Sequence, residues 1–171
     1  MKNKIILEPG NLREMIPGDL DDLYPILSDP IAMRYYPKPF DRKMTKEWIE
    51  RNINRYRKYG FGLWAVIHTD DNLLIGDCGL TYQLVAGVDE LEIGYHILRS
   101  YWKQGLATQC AIACRDYAFD ELCRDRVISW MNPENAASRT VAEKIGMRQE
   151  KETTDSKGRP AVVYSMTPKN R

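Results

Sequence analysis

From Leu98 to Phe119 the chain reads LRSYWKQGLATQCAIACRDYAF, a loop with one glycine running straight into a helix of small side chains. Gly105, Ala107, Ala111, Ala113 and Cys114 stand where a core normally wants bulk. Small residues let such a helix lie tightly on a sheet. Its first backbone N–H groups have no partner within the helix and sit at the positive end of the dipole. That end binds phosphate without a basic side chain. Gly105 removes the Cβ that would hold an anion away, Ala107 keeps a second approach open, and Thr108 adds a hydroxyl donor. The stretch therefore suits a pyrophosphate. It is neither GxGxxG with an acidic residue about 20 positions on, nor a P-loop.

The rest of the chain supplies the sheet. NLREMI alternates as a first strand ending at Pro17-Gly18. DLDDLYPIL is a short helix capped by Asp19 or Asp22, with Pro25 favouring the later start. YYPKPFD is a loop, and Thr45 caps a helix to about Lys58 carrying Trp48, Ile49, Ile53 and Tyr56 at helical spacing. FGLWAVIH and LLIGDCGLTYQ are strands joined by an Asp70-Asp71-Asn72 turn, and DELEIGYHIL is a third. RVISWM is a buried strand, and a helix capped by Asn135 stops at Gly146. RQEKETT and AVVYSMT close the chain as strands. The order, β-α-α-β-β-β-α-β-α-β-β, describes an α/β domain with a largely antiparallel sheet and a parallel crossover in the middle.

With 171 residues, 43% of them apolar, the chain is read as one globular domain spanning 1–171. A formal net charge of +1 argues for neither nucleic acid nor membrane as partner. No apolar run approaches the roughly 20 residues that cross a bilayer. MKNKIILEPG carries too short an aliphatic run for a signal peptide, which with unpaired cysteines favours the cytoplasm. Cys78, Cys110, Cys114 and Cys123 form no CxxC pair and have no histidine at zinc spacing, so no metal is expected. In RNINRYRKYG the basic residues are read as a solvated helix face, with Ile49, Ile53 and Tyr56 turned to the core.

Two stretches, LEIGYHILRSYWKQGLATQCAIACRDYAF and VISWMNPENAASRTVAEKIGM, resemble the central signature of the GNAT superfamily of acetyl-CoA-dependent N-acetyltransferases, in the branch like the ribosomal-protein N-terminal acetyltransferases. The family motif runs Gln or Arg, two residues, Gly, one residue, Gly or Ala; here it is Trp102 to Ala107, with Trp102 replacing the first letter. The resemblance implies a mixed, mostly antiparallel sheet whose central parallel pair splays to admit coenzyme A, flanked by about four helices. It places the pyrophosphate on the backbone amides of Lys103, Gln104, Gly105, Leu106, Ala107 and Thr108. The pantetheine arm would pair with the main chain of Ile97 and Leu98, and the thiolate would leave near Asn135 and Ser138.

The implied reaction is acetyl transfer from a thioester to a primary amine, a protein N-terminus or a small molecule, by direct attack in a ternary complex. It needs orientation, a neutral amine, an oxyanion donor and a proton for the thiolate, but no metal. Glu92 is the candidate base by resemblance; a solvent-facing strand carboxylate is the bland alternative. His96 shares its parity and would relay the proton or be a structural histidine. Ala142 stands where many relatives carry a tyrosine acid, so Ser138 is the substitute, and Tyr164 a distant one. Tyr35 and Tyr36, with Glu92, would line the acceptor groove. A non-catalytic coenzyme A-binding or regulatory module on the same fold remains a rival, as does a polyamine or aminoglycoside acetyltransferase, which predicts an acidic acceptor groove. The exposed edge of the last hairpin leaves a homodimer open.

Overall fold

The computed structural model describes residues 5–7 and 10–171, with side chains from residue 12 onward apart from residue 170. The N-terminal decapeptide read against a leader lies partly outside the described residues. Along the chain come β1 (Ile5–Leu7), β2 (Gly10–Arg13), α1 (Leu20–Leu27), α2 (Arg42–Tyr59), β3 (Leu63–His68), β4 (Leu74–Val85) and β5 (Val88–Ile97). Then follow α3 (Leu106–Asp116), β6 (Val127–Met131), α4 (Ala136–Lys144), β7 (Arg148–Thr154) and β8 (Pro160–Met166). They form one eight-stranded sheet of order β1-β2-β3-β4-β5-β6-β8-β7. Every neighbouring pair is antiparallel except β5 and β6, which run parallel.

The pleat of β4 shows how the sheet is sandwiched. Asp77 and Cys78 are adjacent and point to opposite faces. Asp77 meets Trp48 of α2 on one side, and Cys78 meets Cys114 of α3 on the other. Leu12, Ile49, Trp64, Val66, Ile75, Leu80, Ile93 and Ile145 belong to one continuous buried core. Most of the small residues of α3 serve this packing: Ala111 and Cys114 are wholly buried, with Cys110 and Ala113 close behind. Only Gly105 and Ala107 lie at its open end. Past Asp116 the helix loosens into a wider turn, where Leu122 N donates to Tyr117 O. No described helix is long and apolar enough to cross a membrane.

Three local expectations are corrected. The strand beginning near Asn11 ends at Arg13, not Ile16, and β1 precedes it. Arg13 grips Asp19 with two hydrogen bonds of 2.7 and 2.8 Å, and Asp19 also accepts from Ile16 N. This knot sets the first turn early, so α1 begins at Leu20 and encloses Pro25 rather than starting beside it. The second helix is capped by Asp41, whose carboxylate accepts from Met44 N at 2.7 Å. Thr45 lies inside the helix, fully buried, its hydroxyl bonded to Asp41 O. In addition, β4 and β5 extend into a tighter hairpin than the sequence marked, turning at Ala86-Gly87.

The β3–β4 crossing has no room for a side chain at Gly79. A Cβ there would lie 2.0 Å from Gly62 O and 2.6 Å from Leu63 Cα, both main-chain atoms. We expect Gly79→Ala to lower unfolding free energy by about 3 kcal/mol, read as a drop in urea midpoint at unchanged slope; an unchanged midpoint would contradict this packing.

Candidate acetyl-transfer site

The parallel pair is joined at one register point, Glu92 opposite Ile128, and beyond it the two strands part. Leu98 N donates to Ile75 O, so Ile97, and by the two-residue period Tyr95 and Ile93, turn their main-chain groups away from β4 and into the gap. Two of these groups are already met. Ser129 Oγ donates to Ile93 O at 2.8 Å, and Trp102 Nε1 donates to Ile97 O at 2.7 Å. The gap therefore keeps the Ile97 amide and the main chain of Tyr95. Leu98 departs from expectation: its amide bonds Ile75 and its carbonyl accepts from Tyr101 N, so its main chain is engaged within the protein.

At the end of β5 the chain enters the loop of the sequence signature. Lys103 and Gly105 both adopt left-handed backbone, φ 62° and 78°, flanking Gln104. Curled main chain of this kind turns successive amides to one side. Gly105 is the N-cap of α3, and the first hydrogen bond into the helix is Gln109 N to Gly105 O. The amides of Leu106, Ala107 and Thr108 thus have no acceptor within the helix. Glycine is required here by its backbone angle: a Cβ would meet nothing nearer than Gln109 Nε2 at 3.9 Å. Lys103, Gln104 and Gly105 are exposed. A curled, positive, open helix end fits a pyrophosphate, and the strand groups beside it fit an amide-bearing arm.

On the α2 face, Glu92 and His96 do share one side of the sheet. Glu92 accepts from Thr81 Oγ1 at 3.3 Å, and Gln83 Nε2 bonds the same Thr81 hydroxyl. Loss of water contact pushes Glu92 up to about 7, although the Thr81 and Gln83 hydrogen bonds and the charges of His96 and Arg55 pull the other way. His96 does not bond Glu92. Its Nδ1 meets Asp77 Oδ1 and its Nε2 meets the Tyr36 hydroxyl, each at 2.7 Å. Asp77 is wholly buried and also accepts from Trp48 Nε1 at 2.8 Å. Burial pulls the imidazole down, but the Asp77 carboxylate outweighs it and holds His96 above its ordinary value. Burial, then Glu92 and Asp77, push the Tyr36 hydroxyl well up, so it stays protonated.

Across the gap, Asn135 caps α4 by accepting from Ser138 N at 3.1 Å. The Ser138 hydroxyl lies 3.0 Å from the Tyr95 hydroxyl, which also reaches Ser138 O at 3.1 Å. Burial raises Tyr95, relieved in part by Ser138. Tyr35 closes the same mouth, donating to Glu134 O at 2.9 Å. Tyr164 is taken up elsewhere, between Arg139 and Glu143. Asp77 and Tyr95 are functional-site neighbours that no local motif marks. Asp77 is the lone carboxylate inside the apolar run LLIGDCGL, and Tyr95 has the opposite parity to Glu92 and His96 on the same strand. A buried charge needs a partner, and that rule leads from Asp77 to a nearby histidine.

Comparison with known proteins gives the family and the fold. Residues 11–148 match the family model described as an acetyltransferase (GNAT) domain. The chain is 35% identical to YkkB of Bacillus subtilis (strain 168), over 95% of each protein. It is 31% identical to YnaD of the same organism, named an N-acetyltransferase, over 81% of this chain and 79% of that one. A crystal structure of a GNAT-family acetyltransferase from Bacillus anthracis superposes with a TM-score of 0.82 at 26% identity, covering 96% of this chain and 98% of that one. A sheet parted at its parallel pair, an open helix end beside it and a family match over most of the length have one reading: the chain belongs to the GNAT acetyltransferase family.

Proposed function

We propose that the protein is an acetyl-CoA-dependent N-acetyltransferase of the branch resembling the ribosomal-protein N-terminal enzymes, acting on a primary amine of a protein N-terminus or a small molecule by direct attack in a ternary complex. The observation that carries this reading is the place of Glu92, at the register point where the sheet parts with the Thr81 hydroxyl 3.3 Å away, where burial pushes the carboxylate up to about 7. A base poised near neutrality is matched to an α-amine of pKa about 7.7–8.0.

Acetyl-CoA supplies the activated acyl group; the chain supplies orientation and proton handling. The amides of residues 106–108 hold the pyrophosphate, and the Ile97 amide with the main chain of Tyr95 lines up the arm. Glu92 takes the proton from the amine, directly or through one water. The Ser138 hydroxyl, set by the Asn135 cap and bonded to Tyr95, donates a hydrogen bond to the departing thiolate, and the proton that Glu92 takes from the amine balances the one the thiolate gains on release. His96 is a positioning residue: anchored by Asp77, it holds the Tyr36 hydroxyl at the acceptor mouth.

The buried methyl of Ala142, at the position where the family resemblance implies a tyrosine in many members, favours one second reading, a coenzyme A-binding module without turnover. Saturable binding of coenzyme A with no thiol release across peptides, lysine peptides and polyamines would select it.

Ionised Glu92 is the working form, so kcat/KM should rise with pH through about 7. In Glu92→Gln the rate should fall about a hundredfold and the limb near 7 should vanish, leaving only the amine's own limb near 8; a retained limb at 7 would remove Glu92 as the base.

Steady-state kinetics should separate the two ends of the cleft. Gly105→Val puts a branched side chain at φ 78° and should raise KM for acetyl-CoA about tenfold. Ser138→Ala should chiefly lower kcat. If Gly105→Val leaves KM unmoved, the anion does not sit at this helix end.

A further inference from the structure

The second half of α2 and Tyr82 of β4 border a groove of about 320 Å³ lined by Arg51, Asn54, Arg55, Lys58, Tyr59 and Tyr82, and Arg55 connects it to Glu92 through their charges. Its cations differ from those nearer the start of the same helix. Lys43 and Lys46 have carboxylates four residues on, Glu47 and Glu50, each at 3.9 Å. Among the described residues, no carboxylate stands within ion-pair distance of Arg51, Arg55 or Lys58; their partners are neutral. Arg51 lies over the Trp48 ring at 5.3 Å, Lys58 over Tyr59 at 4.7 Å, and Arg55 donates to Asn52 Oδ1 at 3.0 Å.

Arg55 is the inner member and is not simply solvated, as a helix-face reading of RNINRYRKYG would have it. It is half-buried, and lost hydration, then the like charge of Arg51, pull its pKa below the ordinary value. Its charge in turn is felt by Glu92. Arg51 and Arg55 carry like charges side by side, and Glu92 is the carboxylate whose charge reaches Arg55, so a second anion in the groove would relieve the pair. Aromatic rings on two sides would hold the stem of the side chain that carries it.

Resting on the reading of Glu92 as the base, we propose that this groove selects acidic peptide N-termini, with a carboxylate one or two residues from the reacting amine seated on Arg55 and rimmed by Arg51 and Lys58. A planar guanidinium fork at the inner position suits a carboxylate in two-point contact. The same charges disfavour a polyamine, whose site would need carboxylates where these cations stand.

The test compares acetyl transfer to peptides beginning Ala-Asp-Glu, Ala-Gln-Gln and Ala-Lys-Lys, and to spermidine, at equal ionic strength. The acidic peptide should exceed the neutral one by at least about tenfold in kcat/KM, with the basic peptide and spermidine last. Arg51→Gln and Lys58→Gln, both on the exposed rim, should each shrink the acidic-to-neutral ratio, Arg55→Gln should bring it close to one, and Arg55→Lys should restore part of it. A ratio near one in the unaltered protein, or a preference for the basic acceptors, overturns the inference. If no acceptor is turned over, the transferase reading fails separately; titration of the three peptides into protein saturated with coenzyme A then decides the groove, tighter binding of the acidic peptide supporting it and equal binding overturning it.

Discussion

The structure depends on a pair of parallel strands that touch once and then separate. A main-chain amide or carbonyl withdrawn from water without a partner costs about 1–3 kcal/mol, so a sheet does not open at its centre without compensation. Here compensation is partial. Ser129 Oγ takes Ile93 O and Trp102 Nε1 takes Ile97 O, while the Ile97 amide and the main chain of Tyr95 face the gap. An extended ligand with alternating amide donors and acceptors completes such an edge as an added strand would. The pantetheine arm of coenzyme A has this chemistry, and under the proposed function the open end of α3 would take its pyrophosphate.

The same opening shapes the electrostatics. Two carboxylates lie on one face of the β4–β5 hairpin with unlike company. Asp77, fully buried, is matched by His96 Nδ1 and Trp48 Nε1 at 2.7 and 2.8 Å. Glu92 has a hydroxyl at 3.3 Å and two cations at longer range. The well-partnered acid anchors an imidazole, which in turn orients Tyr36. The under-partnered one is left with a proton affinity near neutrality. Division of labour between neighbouring carboxylates by environment is how one face of a sheet can hold both a fixed support and a titrating base.

Much of this was legible in the chain because it is written in local rules. The strand periodicity, the single glycine before a small-residue helix and the Asn135 cap each follow from contacts within a few residues. The parity of Glu92 and His96 put both on one face, where they are. Long-range choices were less readable. Asp41 supersedes Thr45 as a cap because Thr45 is buried within the helix and bonds its hydroxyl to Asp41 O. Pro25 enters α1 because Arg13, from the preceding strand, fixes Asp19. Tyr95 joins Ser138 only when β5 and α4 are brought together across the gap, so nothing near either residue marks the pair. The desolvation of Arg55 likewise appears only in the folded chain, where the turn at Gly62 lies against a helix face that looks evenly charged in sequence.

The parted strands and the open helix end are tested most directly by hydrogen–deuterium exchange resolved to single amides, with and without coenzyme A. The account predicts that the ligand slows exchange at the amides of Ile97, Leu106, Ala107 and Thr108, while Leu98, already bonded to Ile75, changes little. Binding that leaves those four amides exchanging as before, with protection appearing elsewhere, would contradict it.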